Sequence, residues 1–253
     1  MRLYLLALMC AAALVAADAG RAPLITAARN GDKVAIRALI QKRADVNAAD
    51  PDGSTPLLWA AYRNDLEAAD LLLAAGANPN AATDLGVTPL WTASENGGAP
   101  IVHRLLAAGA NPNLAMTTGE TPLMVAARAG HADAVEALLA KGANPDARGT
   151  RSQTALMWAA SQKHPEVTKV LLAHKADLKL KSDVWSQVMA VPPHGYPPYN
   201  KNIPHGGETA LMFAARVGDL DSMKQLVAAG ANVNDADAWG VSALVLAAHS
   251  GFG

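Results

Sequence analysis

The chain has 253 residues, with 21 basic and 22 acidic side chains and a formal net charge of −1. This balance offers no broad cationic surface, so the composition does not favour nucleic acid or an anionic membrane as a partner. Hydrophobic residues make up 51% of the chain but aromatic residues only 4%. The apolar content is therefore mostly Ala and Leu, which suits slender helices packed at short distances.

The first residues have the layout of a secretory signal peptide. A short basic start is followed by an apolar run from Leu3 to Ala17, and small residues offer cleavage sites after Ala17 or Ala19. The run is short for a membrane span, which needs about 20 residues. We therefore expect residues 1–19 to be removed, no stable membrane span to remain, and the protein to be exported, either to a periplasm or into the medium; an uncleaved anchor is the alternative.

A seven-residue segment recurs along the chain at a fixed spacing. The clearest copies are TPLLWAA at Thr55, TPLWTAS at Thr88, TPLMVAA at Thr121, TALMWAA at Thr154, TALMFAA at Thr209 and SALVLAA at Ser242. Successive copies are 33 residues apart, except that the step from Thr154 to Thr209 is 55 residues. A fixed period indicates stacked structural units rather than one or two conventional globular domains.

Each unit is predicted to contain two short helices followed by an extended finger. In one unit Thr55 can cap the first helix, and Pro56 takes the first helical position, where its missing N–H costs nothing. Asp65 can cap the second helix, and Gly76 can end it in the left-handed conformation. A single unit buries too few Leu and Ala side chains to offset the conformational entropy lost on folding. We therefore expect the units to be stable only when they stack.

The 33-residue period, the T-P-L-x-x-A-A starts and the GAN segments at Gly76, Gly109, Gly142 and Gly230 resemble the ankyrin repeat family. The resemblance implies an all-α solenoid of helix-turn-helix units with extended fingers over residues 20–253. About seven units are expected, starting near residues 20, 53, 86, 119, 152, 207 and 240. The chain departs from the family's T-P-L-H motif, because the His position holds Leu58, Trp91, Met124, Met157, Met212 and Val245. Apolar packing is expected to replace the family's hydrogen bonds there.

The long step between Thr154 and Thr209 contains an insertion at residues 182–207. This segment has five prolines together with Trp185, Tyr196 and Tyr199. The paired prolines exclude one continuous helix, so an extended finger or an Ω-like loop is expected. Two interpretations stay open. The segment is either a tolerated loop or a contact for a partner, since Tyr and Trp are favoured anchors of protein interfaces.

The sequence has no recognised catalytic or metal-binding spacing. Its seven histidines are dispersed, and no H-E-x-x-H motif, nucleophile elbow or Gly-rich phosphate loop occurs. Cys10 is the only cysteine and lies in the expected signal peptide, so the mature chain would have no disulfide or thiol nucleophile. We expect a protein that is not an enzyme and that holds no metal and no cofactor.

Partners of proteins in the ankyrin repeat family usually contact the finger tips and the concave ends of the first helices. We therefore expect a monomer that binds another protein through this surface. The candidate contact residues are Tyr62, Arg63, Glu95, Arg128, Arg216 and Trp239, and the insertion adds Trp185, Tyr196 and Tyr199. Two alternatives stay open. The repeats could be an accessory part of a larger enzyme or redox protein whose catalytic part lies beyond residue 253, because the seventh unit shows only its first helix. The other alternative is that the protein is a structural spacer or an immunity-type protein.

Overall fold

The computed structural model describes residues 22–189 and 201–251. The expected signal peptide, Tyr196 and Tyr199 lie outside these ranges. The described part of the chain has thirteen α-helices, a short 3-10 turn at Thr150–Ser152 and two β-strands. The helices fall into six pairs followed by a single last helix, as the sequence period predicts.

The first helices of the successive units are α1 (Pro23–Asn30), α3 (Pro56–Tyr62), α5 (Pro89–Asn96), α7 (Pro122–Ala129), α9 (Ala155–Ser161), α11 (Ala210–Val217) and α13 (Ala243–His249). The second helices are α2 (Lys33–Gln41), α4 (Leu66–Ala74), α6 (Ala99–Ala107), α8 (Ala132–Ala140), α10 (Pro165–Ala173) and α12 (Leu220–Ala228). We number the fingers in chain order, so that the first finger joins α2 to α3 and the sixth joins α12 to α13.

The helix ends form where the sequence places the capping residues. The hydroxyl of Thr55 accepts a hydrogen bond from the backbone N–H of Leu58 at 3.3 Å, and the Asp65 carboxylate accepts from that of Ala68 at 3.1 Å. Gly76 follows α4 with a φ of 93°, the left-handed conformation that favours glycine. These local signals set the length of each helix before any packing is considered.

The helices pack in two layers. First helices contact first helices along the stack, and second helices contact second helices. Ala60 and Ala61 of α3 are fully buried, as are the equivalent Ala126 and Ala127 of α7, so adjacent first helices approach closely. Side chains at the position of the missing His are buried in five units, at Leu58, Trp91, Met124, Met157 and Met212, whereas Val245 is exposed.

A periodic hydrogen bond ties each of the first four first helices to the following unit. In every case the acceptor is a backbone carbonyl near the end of the first helix, and the donor is a side chain one unit later. The four bonds are Arg63 Nη1 to Arg29 O at 3.3 Å, Asn96 Nδ2 to Tyr62 O at 2.9 Å, His131 Nε2 to Glu95 O at 3.1 Å, and His164 Nε2 to Arg128 O at 3.0 Å. Because a carbonyl only accepts, both histidines must carry hydrogen on Nε2.

The insertion forms a β-hairpin on the fifth finger. Strand β1 (Val184–Met189) pairs antiparallel with β2 (Lys201–Gly206). The backbone bond from Ser182 N to Glu208 O, 3.0 Å, matches the bond from Asp50 N to Ser54 O that closes the first finger. In the first finger three residues separate Asp50 from Ser54, whereas in the fifth finger 25 residues separate Ser182 from Glu208. Of the two forms predicted for the insertion, its described residues therefore adopt the extended finger. An Ω-like loop is wrong for its described residues, because a strand ladder forms.

Candidate functional site

A cleft of about 550 Å³ opens between two fingers and two first helices in the N-terminal half of the stack. We call it the N-terminal cleft. Its mouth carries Tyr62 at the end of α3 and Leu85 at the tip of the second finger, which are 60% and 61% exposed. Its floor includes Leu58 and Trp91, which are buried. The surface is thus a concave apolar face with two large exposed side chains at its rim.

Carboxylates surround this apolar floor. Asp52, Asp84 and Glu95 all line the N-terminal cleft. Tyr62 makes an edge-to-face contact with Trp59, with ring centroids 5.8 Å apart, which restrains the exposed ring. The cleft therefore combines a restrained aromatic residue with negative charge, an arrangement suited to an apolar side chain that has a cation beside it.

Arg128 sits in a network of charges next to the cleft. Its guanidinium lies 2.9 Å from Glu120 Oε1 and 3.5 Å from Glu95 Oε1, and its Cζ is 5.4 Å from the ring centroid of Trp158. Of the residues expected to bind a partner, Glu95 and Arg128 are therefore in direct contact with each other. Both charges are partly exposed, so each pair contributes about 0–1 kcal/mol to stability.

The guanidinium of Arg63 contacts the preceding unit of the stack. It donates to the Arg29 carbonyl of the preceding unit and packs against Gly31, where an added Cβ would lie 2.8 Å from Arg63 Nε. Arg63 does not line the N-terminal cleft. The sequence predicts that Arg63 contacts a partner. In the structure its guanidinium instead packs between two repeat units.

A second cleft, of about 170 Å³, lies where the hairpin meets α11. We call it the hairpin cleft. Trp185 and His205 are opposite residues of the ladder, and their rings stack with centroids 4.5 Å apart. Arg151 Cζ lies 4.5 Å from the Trp185 ring centroid on this face, and the Trp239 ring meets His205 edge-on at 6.4 Å. Side chains from the fourth, fifth and sixth fingers thus form one continuous stack.

The hairpin cleft holds an ion pair whose carboxylate is buried and whose guanidinium is half exposed. Glu208 is only 4% exposed and pairs with Arg216, whose guanidinium also lies over the Phe213 ring. Partial burial removes the guanidinium from water and lowers the pKa of Arg216 from its ordinary value, while Asp237 acts in the opposite direction. Arg216 is paired with Glu208, whereas Arg151, which lines the same cleft, has no ion pair among the described residues.

The structure sorts the predicted contact residues into two groups. Tyr62 and Glu95 line the N-terminal cleft, with Arg128 bonded to Glu95, whereas Trp185 and Arg216 line the hairpin cleft, where Trp239 contacts His205. Sequence reasoning places Arg151 only at a finger tip, and it predicts neither its contact with Trp185 nor His205 as a member of the second group. The β-branched and aromatic residues Val184, Trp185 and Val188 were the available sign of a strand, but they did not fix the register that brings these rings together.

Within residues 22–189 and 201–251, no group of three or more His, Cys, Asp or Glu side chains is arranged to hold a metal ion. None of the helices that the structure describes is both long and apolar enough to cross a bilayer.

Comparison with known proteins agrees with the repeat architecture. The family model for ankyrin repeats in three copies matches residues 3–83 and 90–182, and the single ankyrin repeat model matches residues 206–238. The first match thus begins inside the segment expected to be a signal peptide. The chain is similar to the crystal structure of the human ASB11 ankyrin repeat domain, with 29% sequence identity, a TM-score of 0.72, and coverage of 90% of this chain and 92% of that one. No curated protein sequence matches the chain.

Proposed function

Because the chain belongs to the ankyrin repeat family, whose members generally mediate protein–protein interactions, we propose that it is a non-catalytic scaffold that binds another protein through its concave face. The observation that carries the proposal is the N-terminal cleft, where Tyr62 and Leu85 are exposed above an apolar floor. Exposed aromatic residues over a concave apolar surface are typical hot spots of protein interfaces.

The charge of the cleft specifies the partner further. Three carboxylates line the N-terminal cleft and Arg128 lies at one side of it. A partner that inserts an apolar side chain flanked by Lys or Arg would have the complementary charge. Such a partner would associate faster at low ionic strength, because the interacting charges are partly exposed to solvent.

The proposal can be tested with the protein as bait in an extract of the source cells. The variants Tyr62→Ala and Leu85→Ser remove the two exposed contacts, and each should reduce capture of the specific partner by about tenfold or more, the effect of losing an interface hot spot. Val34→Ser is the matched control, because Val34 is an apolar side chain that is 76% exposed on α2, in the other helix layer. Equal capture by all four proteins would contradict binding at this cleft.

We also propose that the protein acts outside the cytoplasm, in a periplasm or after secretion. The support is the basic start, the apolar run and the small residues of positions 1–19. Fractionation of the source cells and sequencing of the mature N-terminus test this proposal. Export predicts a chain that begins at Asp18 or Gly20, and a full-length cytoplasmic chain would contradict it.

A further inference from the structure

The two edges of the β-hairpin can be distinguished by following its backbone bonds. Pro204 of β2 lies opposite Ser186 of β1 and has no N–H, so these residues cannot exchange two backbone hydrogen bonds. Gly206, two residues further on, sends its carbonyl out of the hairpin to the N–H of Ala238 at 3.0 Å. Even-numbered residues of the ladder therefore direct their backbone groups outward.

It follows that the backbone N–H and C=O groups of Val184 and Ser186 face the outer edge of β1. Within the described ranges, β1 pairs with β2 alone, and neither residue makes a backbone bond to a neighbouring finger. The fourth finger reaches this edge only at its foot, where Asp183 N donates to Arg151 O at 2.9 Å. Above that point the edge is open.

The two edges are protected to different degrees. The outer edge of β2 carries Pro204 and bonds to the sixth finger at Ala238. Proline is one of the usual means by which proteins stop an edge strand from pairing. The segment VWSQVM of β1 has neither proline nor charge, and its Val184 is 60% exposed. This asymmetry indicates that the β1 edge is the one open to an added strand.

The charge beside the open edge indicates which side chains an added strand would carry. Arg151 stacks on Trp185, and its guanidinium forms no ion pair among the described residues. Stacking holds the guanidinium in place, so little side-chain entropy remains to be lost when it binds a carboxylate. Asp183 also lines the hairpin cleft, at the foot of the strand, so an incoming carboxylate belongs further along β1, beside Trp185.

We propose that the outer edge of β1 binds an extended segment of a partner protein as a third strand, with an acidic side chain of that segment against Arg151. Main-chain bonds to Val184 and Ser186 supply affinity, and the Arg151–Trp185 pair supplies selectivity for acidic sequences. The inference rests on the proposed function of protein binding, but it uses a surface separate from the N-terminal cleft.

The test uses a random peptide library and the purified protein. Peptides selected on the native protein are measured against Ser186→Pro, which removes an outward N–H and leaves the inward bonds of the ladder, as Pro204 already does. A second variant, Arg151→Glu, reverses the charge without touching the edge, and Tyr62→Ala is the control in the other cleft. Circular dichroism confirms that each variant keeps its helices.

The proposal expects enriched peptides that share an acidic residue among β-branched or aromatic ones. Their affinity should fall by about tenfold or more on Ser186→Pro and on Arg151→Glu, and Tyr62→Ala should bind them unchanged. Selection of no peptide, or equal affinity for Ser186→Pro, overturns the proposal. A concentration-dependent dimer of the native protein that Ser186→Pro abolishes in sedimentation would assign the edge to a second copy instead. Tyr62→Ala changes the N-terminal cleft, whereas Ser186→Pro and Arg151→Glu change the hairpin. The two proposals can therefore fail independently.

Discussion

At the residue scale, the end of α10 shows how one substitution in a repeat changes stability. Gly76, Gly109, Gly142 and Gly230 end four of the other second helices with φ between 84° and 96°, and nothing lies within 4 Å of a Cβ added to any of them, whereas α2 is followed by Arg43 with a φ of 59°. Lys175 takes the same position with a φ of 62°. A side chain in the left-handed region costs about 1 kcal/mol, and space is not the limiting factor here.

We therefore expect Lys175→Gly to stabilise the protein by up to about 1 kcal/mol, partly offset by the greater freedom of glycine in the unfolded chain. The measurement is the midpoint of equilibrium urea unfolding. Gly142→Lys is the mirror-image control and should lower the midpoint. A lower midpoint for Lys175→Gly would show that the lysine side chain makes a contact worth more than its backbone strain.

At the element scale, neighbouring fingers are joined by a ladder of side-chain amides. Asn80 donates from Nδ2 to Gly109 O at 3.0 Å and accepts from Asn111 N at 2.7 Å, and Asn47 and Asn113 make the same two bonds in their units. Asp146 takes this place in the fourth finger. It accepts from Asp177 N at 2.8 Å, but a carboxylate has no hydrogen to donate to the Lys175 carbonyl.

Asp146→Asn should complete the ladder and stabilise the protein by about 0.5–1.5 kcal/mol, the net value of one hydrogen bond. Thermal or urea unfolding measures the change, and Asn80→Asp should shift the midpoint in the opposite direction. If both variants moved the midpoint the same way, the amide donor would not be the cause.

A second contact between elements is the ion cluster of α2 and α4. Lys33 Nζ lies 3.1 Å from Glu67 Oε2 and 3.3 Å from Asp65 Oδ1, and Arg37 also pairs with Glu67. Hydrogen bonds from Lys33 first, and then from Arg37, lower the pKa of Glu67 below its ordinary value of 4.5. A carboxylate with a lowered pKa stabilises the fold above about pH 4.5, and this contribution is lost as the pH falls through its pKa in the folded protein.

Glu67→Gln should therefore make the stability of the protein depend less steeply on pH below 4.5 and lower the neutral-pH midpoint by a correspondingly small amount, because the cluster is exposed to solvent. Unfolding midpoints at a series of acidic pH values measure the slope. Added salt should weaken the effect in the native protein, and identical slopes for the two proteins would rule out the ion cluster as its source.

How much of these elements follows from the sequence depends on the range of the interactions. The helix caps at Thr55 and Asp65 and the period itself are local signals, so they could be predicted. The hairpin register could not, since it depends on which residue of β1 lies opposite Pro204, a contact between residues far apart in the sequence. Arg63 and Arg128 show the same limit. Both are arginines near the ends of equivalent helices, but one packs on the preceding unit and the other joins two glutamates.

At the scale of the whole molecule, the stack is a one-dimensional array in which each unit contacts only its neighbours. The hairpin is an addition to one finger rather than a link in this array. Gly207 has a φ of 71°, close to the 85° of Gly53 in the first finger. Each glycine directly precedes the residue whose carbonyl closes its finger, Glu208 for Gly207 and Ser54 for Gly53. Removal of residues 184–205 leaves the five-residue turn SDGGE, which restores the 33-residue period.

The most direct test of the account is equilibrium urea unfolding of the chain that lacks residues 184–205. If the stack of units is the folding unit and the hairpin is an added binding element, this shortened chain should keep its helical signal and unfold cooperatively at a midpoint close to that of the full chain. Loss of the helical signal, or a broad transition at much lower urea, would show that the inserted strands hold the stack together and would contradict the account.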